Sequence, residues 1–95
     1  MRISPSMKEY LKSEIKRRLV SAEVYLFGSR ADDSRKGGDI DLLVLSEQDV
    51  DFETKAKIKI SFYKKFGEQK IDMVFYNQND RSAFKELALM EAIKL

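Results

Sequence analysis

The chain has 95 residues, 43% of them hydrophobic and 36% charged, and this length allows a single domain. It contains no cysteine and no histidine, which excludes disulfides, thiolate metal sites, cysteine nucleophiles and Ser-His-Asp catalysis. A metal ion bound by this chain must therefore have oxygen ligands, as magnesium and manganese prefer. The net charge of +2 is too small to indicate nucleic-acid binding by bulk electrostatics.

The amino-terminal segment lacks the apolar stretch of a secretory signal. No apolar run approaches the roughly 18 residues that indicate a membrane span. We therefore expect a soluble, cytoplasmic protein.

The first half of the chain predicts one helix and two strands. A capping box followed by apolar residues at every fourth position predicts an amphipathic helix over Ser6–Val20. The short apolar run Val24–Phe27 ends at a glycine and favours a buried strand. A polar segment over 29–38 indicates a loop or the start of a short helix. The second strand, Ile40–Leu45, is apolar at every position beyond Asp41, which is typical of a strand covered on both faces.

A second helix and a third strand are predicted next. Asp49 or Asp51 is the candidate cap of the helix, and Gly67 lies where its carboxyl end is expected. Alternating polarity over 58–60 also permits a strand there. The apolar run Lys70–Tyr76, interrupted by one aspartate, predicts the third strand.

A last helix completes the predicted order helix–strand–strand–helix–strand–helix. Asn79 or Asp80 is its candidate cap. Its apolar positions are Ala83, Phe84, Leu87, Met90 and, at the end, Ile93. This order predicts an α/β or α+β fold, a small mixed β-sheet flanked by helices, as one domain over residues 1–95.

The candidate chemistry lies in three aspartates. Asp39 and Asp41 are two positions apart in an extended segment, so their side chains point to the same face. Asp72 interrupts the third strand, and a neighbouring strand would bring it beside the pair. Carboxylates this close repel one another, and a divalent cation removes the repulsion. Such a set suits one or two magnesium ions that hold the oxygens of a phosphoryl displacement.

The segment after the first strand supplies candidate phosphate ligands. Gly28 allows the backbone to approach a ligand closely, and Ser29 offers an amide and a hydroxyl. The amides of a helix beginning at Ser29 would favour a phosphate. Arg30 or Arg35 could add charge-assisted hydrogen bonds to a triphosphate.

Each of these features also has a purely structural explanation. Gly28 and Ser29 could form a turn, and Asp39 could close a β-turn. Asp72 could pair with Lys70 or with a lysine elsewhere in the chain. A carboxylate that leads into four apolar residues, as Asp41 does, is harder to explain structurally, and the combination favours a site.

At these residues the sequence resembles the minimal nucleotidyltransferases (MNT) of the DNA polymerase beta superfamily. Their signature is Gly-Ser, a spacer, Asp-x-Asp and a third aspartate on a later strand, and here it reads GSRADDSRKGGDIDLLV followed by KIDMVF. The similarity covers about Tyr25 to Tyr76. The spacer is one residue shorter than is common, and Gly38 stands where many relatives have a serine.

The resemblance implies a polymerase-beta-like nucleotidyltransferase fold and a role for each matched residue. Asp39, Asp41 and Asp72 would bind the metal ions, Mg²⁺ or Mn²⁺, and Asp72 would also help to activate the acceptor hydroxyl. Gly28 and Ser29 would hold the β- and γ-phosphates of ATP, with Arg30 as a further phosphate contact.

The resemblance also implies partners. Stand-alone MNT proteins are commonly antitoxins of HEPN-domain proteins, and some transfer AMP from ATP to a tyrosine of that partner. We therefore expect a magnesium-dependent nucleotidyltransferase, the antitoxin of a HEPN/MNT toxin–antitoxin pair, which forms hetero- or homo-oligomers. The short chain leaves little material to enclose an acceptor, which favours an acceptor supplied by another protein. The alternative is a catalytically weak or inactive module that neutralises its partner by docking.

Overall fold

The computed structural model describes residues 3–31, 38–67 and 69–95. Its elements, in chain order, are α1 (Pro5–Arg18), β1 (Glu23–Phe27), a 3₁₀ turn (Gly28–Ala31), β2 (Ile40–Ser46), α2 (Phe52–Phe66), β3 (Ile71–Asn77), α3 (Ala83–Glu91) and β4 (Ile93–Lys94). The predicted order of three helices and three strands is confirmed, and the short β4 is an addition. Within the described ranges, no helix has both the length and the apolar character that crossing a membrane requires.

The four strands form one mixed sheet in the order β3-β2-β1-β4. β2 and β3 are parallel, whereas β1 is antiparallel to β2 and to β4. Parallel neighbours need a crossover connection, which α2 provides. The predicted small mixed sheet with flanking helices is therefore confirmed.

Both faces of the inner strand β2 are covered. Its four consecutive apolar residues, Leu42–Leu45, are between 0% and 7% exposed, so the strand is buried on both faces as predicted. On one face, side chains of α1 and α2 form the main core with the sheet; the helix residues in it are Leu11, Ile15, Ile58 and Phe62. On the other face, the ring of Phe84 in α3 packs against Phe27 of β1 and Tyr76 of β3, with centroids 5.9 and 6.3 Å away.

The N-cap of α1 differs from the prediction, whereas the caps of α2 agree with it. α1 begins at Pro5 and not at Ser6, because Ser4 is the N-cap and its hydroxyl accepts a hydrogen bond from the Met7 amide. Proline is favoured at the first helical position, and the residue before it is held extended. α2 has the predicted Asp51 cap, which accepts from the Thr54 amide, and it ends at Gly67 as predicted.

The last helix is shorter than predicted. Its N-cap is Ser82, and the helix ends at Glu91. Asp80, a predicted cap, instead accepts a hydrogen bond from the Ser82 amide. Ile93 belongs to β4, where it pairs with Leu26, because the chain returns to the free edge of β1.

The core predicts a large difference between two positions of α2. Phe62 is 0% exposed, whereas Ile60 on the same helix is 53% exposed. Replacing a buried phenylalanine by alanine costs about 3–5 kcal/mol, a large part of the roughly 5–15 kcal/mol that stabilises a typical domain. We expect Phe62→Ala to lower the free energy of unfolding by that amount in urea titrations followed by circular dichroism. Ile60→Ala is the matched control, and an equal loss in the two variants would contradict this placement of the core.

Candidate active site

The three aspartates form a row at the end of the sheet where β2 and β3 begin. Asp41 pairs with Phe27 of β1 on one side and with Asp72 of β3 on the other. Register partners on adjacent strands point to the same face, about 4.8 Å apart along the sheet. Asp39 lies two residues before Asp41, at the start of β2. The three predicted aspartates are therefore brought to one end of the sheet.

The electrostatics of this row show that the carboxylates interact. Burial raises the pKa of Asp41, and the charges of Asp72 and then Asp39 raise it further, while Lys70 acts in the opposite direction. Asp39 Oδ2 lies 3.4 Å from Lys70 Nζ, and this pair raises the pKa of the Lys70 ammonium. Both side chains are largely exposed, so the ion pair adds little stability. Lys70 forms its ion pair with Asp39. An ion pair between Lys70 and Asp72, one of the two structural explanations for Asp72, is not observed among the described residues.

Gly28 is required by two separate features of the turn that follows β1. Its φ of +74° lies in the left-handed region, where a side chain is disfavoured. A Cβ at this position would also lie 2.5 Å from Asp41 Oδ2, well inside van der Waals contact. The glycine of the Gly-Ser pair therefore allows the backbone to pass directly beside the Asp41 carboxylate.

The donor set fits a hard divalent cation. Asp39, Asp41 and Asp72 offer only carboxylate oxygens, and their mutual repulsion is what a bound cation would relieve. In the described part of the chain, however, no three acidic side chains are already gathered into a metal-ligand group. Asp39 contacts Lys70, so a metal ion bound by all three carboxylates would compete with this ammonium for Asp39.

The remaining predicted ligands lie beside this row. Ser29 is in the 3₁₀ turn after Gly28, although its side chain is outside the described part of the structure. Arg30 is in the same turn, and its guanidinium donates a 2.8 Å hydrogen bond to the Gly38 carbonyl and contacts Gln69 Oε1 at 3.5 Å. Arg35 lies outside the described residues.

The contacts of Arg30 suggest that it positions the aspartates. Gly38 immediately precedes Asp39, and Gln69 lies just before β3, so one side chain holds the starts of both aspartate-bearing strands. Sequence reasoning did not detect this link, because residues 30 and 69 are far apart in the chain and no local sequence pattern relates them.

The geometry makes the role of Arg30 testable by kinetics. A hydrogen bond to a charged group contributes about 1.5–3 kcal/mol. For the nucleotide transfer that the sequence predicts, we therefore expect Arg30→Gln to lower kcat by about 10- to 100-fold. A positioning role leaves KM for the nucleotide within about threefold, whereas a direct phosphate contact would raise KM. Gln69→Ala is the control, with a smaller loss because its contact is longer. A rise in KM alone for Arg30→Gln would assign Arg30 to the phosphates.

Comparison with known families assigns the chain to one family. The family model for the nucleotidyltransferase domain matches residues 7–95. The chain therefore belongs to the nucleotidyltransferase domain family. No curated protein matches it in a sequence comparison.

Solved structures share the fold at low sequence identity. A Shewanella oneidensis protein superposes with a TM-score of 0.71 at 16% identity, covering 98% of this chain and 71% of that one. A toxin–antitoxin complex with AMP-PNP gives a TM-score of 0.70 at 16% identity, covering 92% and 70%. A complex of a tri-AMPylated Shewanella oneidensis HEPN toxin with its MNT antitoxin gives 0.60 at 17% identity, covering 93% and 70%. At these identities the likeness establishes the fold.

Proposed function

We propose that this protein is a magnesium-dependent nucleotidyltransferase that moves AMP from ATP to a hydroxyl of a partner protein. The observation that carries the proposal is the row of Asp41 and Asp72 with Asp39 beside it, set against a glycine turn, in a chain of the nucleotidyltransferase family. Manganese has the same preference for oxygen ligands and could replace magnesium.

The proposed reaction gives each of these residues a role, and it gives Asp72 two. Asp39, Asp41 and Asp72 would hold the metal ion, which when bound supplies Lewis acidity and neutralises the triphosphate. The backbone around Gly28 and Ser29 would hold the β- and γ-phosphates. The acceptor oxygen attacks the α-phosphorus, an O–P bond forms, and the bond to the bridging oxygen of the β-phosphate breaks to release pyrophosphate. Asp72 would accept the proton of the acceptor hydroxyl.

The solved structures support a HEPN-domain protein as the acceptor. One matched fold is an antitoxin in complex with a HEPN toxin that carries three AMP groups, and another is a toxin–antitoxin complex with an ATP analogue. We extend this partnership to the present chain, so that it would act as the antitoxin of a toxin–antitoxin pair in the cytoplasm. The acceptor would be a tyrosine hydroxyl of the toxin.

The proposal is tested with ATP labelled at the α-phosphate. The chain is incubated with Mg²⁺ and a candidate HEPN protein, and label on the partner is measured by gel and mass spectrometry. We expect label with the wild-type chain, none with Asp39→Asn/Asp41→Asn, and loss of label when Mg²⁺ is chelated. Equal labelling by the double variant would refute the proposed site.

A second function, neutralisation by docking alone, is favoured by one observation. Leu87 and Met90, which are neighbours on the surface of α3, are 65% and 80% exposed, and a partner protein could cover them. In this case the aspartates would be dispensable. A toxicity assay with Asp39→Asn/Asp41→Asn separates the two functions, because docking predicts full neutralisation and transfer predicts its loss.

A further inference from the structure

The strand that carries Asp72 lies at one side of the sheet. β3 is the terminal strand in the order β3-β2-β1-β4, and β2 is its only strand neighbour among the described residues. Its other side therefore presents backbone amides and carbonyls in the spacing that a further strand would pair with. An extended peptide can add to such a free edge through main-chain hydrogen bonds.

A groove runs along this free side of β3. Its volume is about 580 Å³, and its sheet wall is the segment Asp72–Phe75. Its other wall is one stripe of α2; the residues of that stripe are Phe52, Lys55, Ala56 and Lys59. Spacings of three, four and seven place these side chains on a single helix face. The groove thus begins at the aspartate that would activate the acceptor hydroxyl.

The groove carries positive charge and an exposed aromatic ring. Lys55 Nζ lies 5.3 Å from the ring centre of Phe75, and Lys59 Nζ lies 5.9 Å from that of Tyr63. Within the described ranges neither ammonium pairs with a carboxylate, whereas Lys57 on another side of α2 pairs with Glu53. Phe52 is 83% exposed at the groove wall. An occupant that pairs with this surface has acidic side chains and at least one apolar one.

We propose that this groove binds an extended, acidic segment of the acceptor protein as an added strand on β3, with the acceptor hydroxyl at Asp72. The four residues Asp72–Phe75 would pair with about four residues of the segment, over about 13 Å at 3.3 Å per residue. The transfer step at Asp72 rests on the proposed function, whereas binding of the segment does not require it. A nucleic acid strand fits less well, because its sugar–phosphate backbone has no alternating amides and carbonyls to pair with the free edge of β3.

Binding is tested with fluorescein-labelled peptides in fluorescence anisotropy titrations. The probe is Tyr-Glu-Val-Glu-Val, compared with a peptide in which lysine replaces both glutamates and with one N-methylated at alternate amides. We expect the acidic peptide to bind at least about tenfold more tightly than either, a difference of about 1.4 kcal/mol. Equal affinity for the acidic and lysine peptides would overturn the proposal, and so would undiminished binding of the N-methylated one.

Two double variants of the full chain locate the binding surface. Lys55→Glu/Lys59→Glu should lose the preference for the acidic peptide and favour the lysine peptide. Lys16→Glu/Lys64→Glu makes the same change of charge at exposed positions outside the groove and should leave the preference intact. Equal effects of the two pairs would overturn the proposal. Displacement of the acidic peptide by a single-stranded oligonucleotide, or a dimer of the chain that excludes the peptide, would assign the groove to another occupant.

A transfer assay on the same peptides separates this inference from the proposed function. Asp39→Asn/Asp41→Asn should bind the acidic peptide normally but transfer no AMP to its tyrosine. If the wild-type chain binds the acidic peptide tightly through the groove but transfers AMP to no acceptor, the peptide-binding proposal is supported and the proposed function is refuted. If it transfers AMP at equal rates to the acidic and lysine peptides, the proposed function is supported and the peptide-binding proposal is refuted.

Discussion

Gly28→Ala is expected to reduce nucleotide transfer by at least about a hundredfold. The added Cβ would lie 2.5 Å from Asp41 Oδ2, so the carboxylate must move by about 1 Å to restore an ordinary contact. Displacements of this size at reacting groups cost about a hundredfold in rate. The φ of +74° adds backbone strain of about 1–2 kcal/mol for any residue with a Cβ, which should also lower the melting temperature.

Gly38→Ala is the matched control for this prediction. Gly38 lies directly before Asp39, yet a Cβ there would meet no atom within 4 Å, and its φ is not in the left-handed region. Transfer kinetics and thermal unfolding of the two variants should therefore differ sharply. If Gly38→Ala loses as much activity as Gly28→Ala, the close approach of Gly28 to Asp41 is not what the site depends on.

Asp41→Asn is expected to slow transfer strongly while stabilising the metal-free fold. A metal ion stabilises the transition state by several kcal/mol, so loss of a central ligand should lower the transfer rate by about 10²–10³-fold. In the absence of metal, however, the ionised Asp41 is destabilised by burial and by Asp72 and Asp39, which raise its pKa. A neutral asparagine removes this repulsion, so function and stability should change in opposite directions.

The pH dependence of the stability gained by Asp41→Asn follows from the direction in which the pKa of Asp41 is shifted. The pKa of Asp41 is raised above the ordinary 3.8, so the folded state holds its proton to higher pH than the unfolded chain does. The ionised group therefore destabilises the fold above that raised pKa, and the penalty vanishes below about pH 3.8, where both states are protonated.

The measurement is the melting temperature of wild type and Asp41→Asn across this pH range. The variant should have the higher melting temperature at neutral pH. The difference between the two melting temperatures should shrink on acidification. Added Mg²⁺ should also reduce this difference, because it stabilises the wild type alone. Asp49→Asn makes the same chemical change at an exposed position at the opposite end of β2 and should show no such gain. A lower melting temperature for Asp41→Asn at neutral pH would contradict the repulsion.

Local patterns in the sequence were sufficient for most of the fold. A stripe of apolar residues at helical spacing and an unbroken apolar run each record the surface that an element buries, so α1, α2 and β2 could be predicted from neighbouring residues. The exact caps were less certain because several serines and aspartates near a boundary offer the same hydrogen bond. Thus the N-cap of α1 is Ser4 and not the predicted Ser6, and that of α3 is Ser82 and not the predicted Asn79 or Asp80.

The sequence by itself determined the chemistry available to this protein: no histidine or cysteine, aspartates in the second and third strands and one directly before the second, and a glycine directly after the first strand. The tertiary structure alone decided which groups meet. The contact of Gly28 with Asp41, the link from Arg30 to Gly38 and Gln69, and the groove between β3 and α2 join residues distant in the chain. Such contacts follow from the register and packing of whole elements, and short sequence patterns do not encode them.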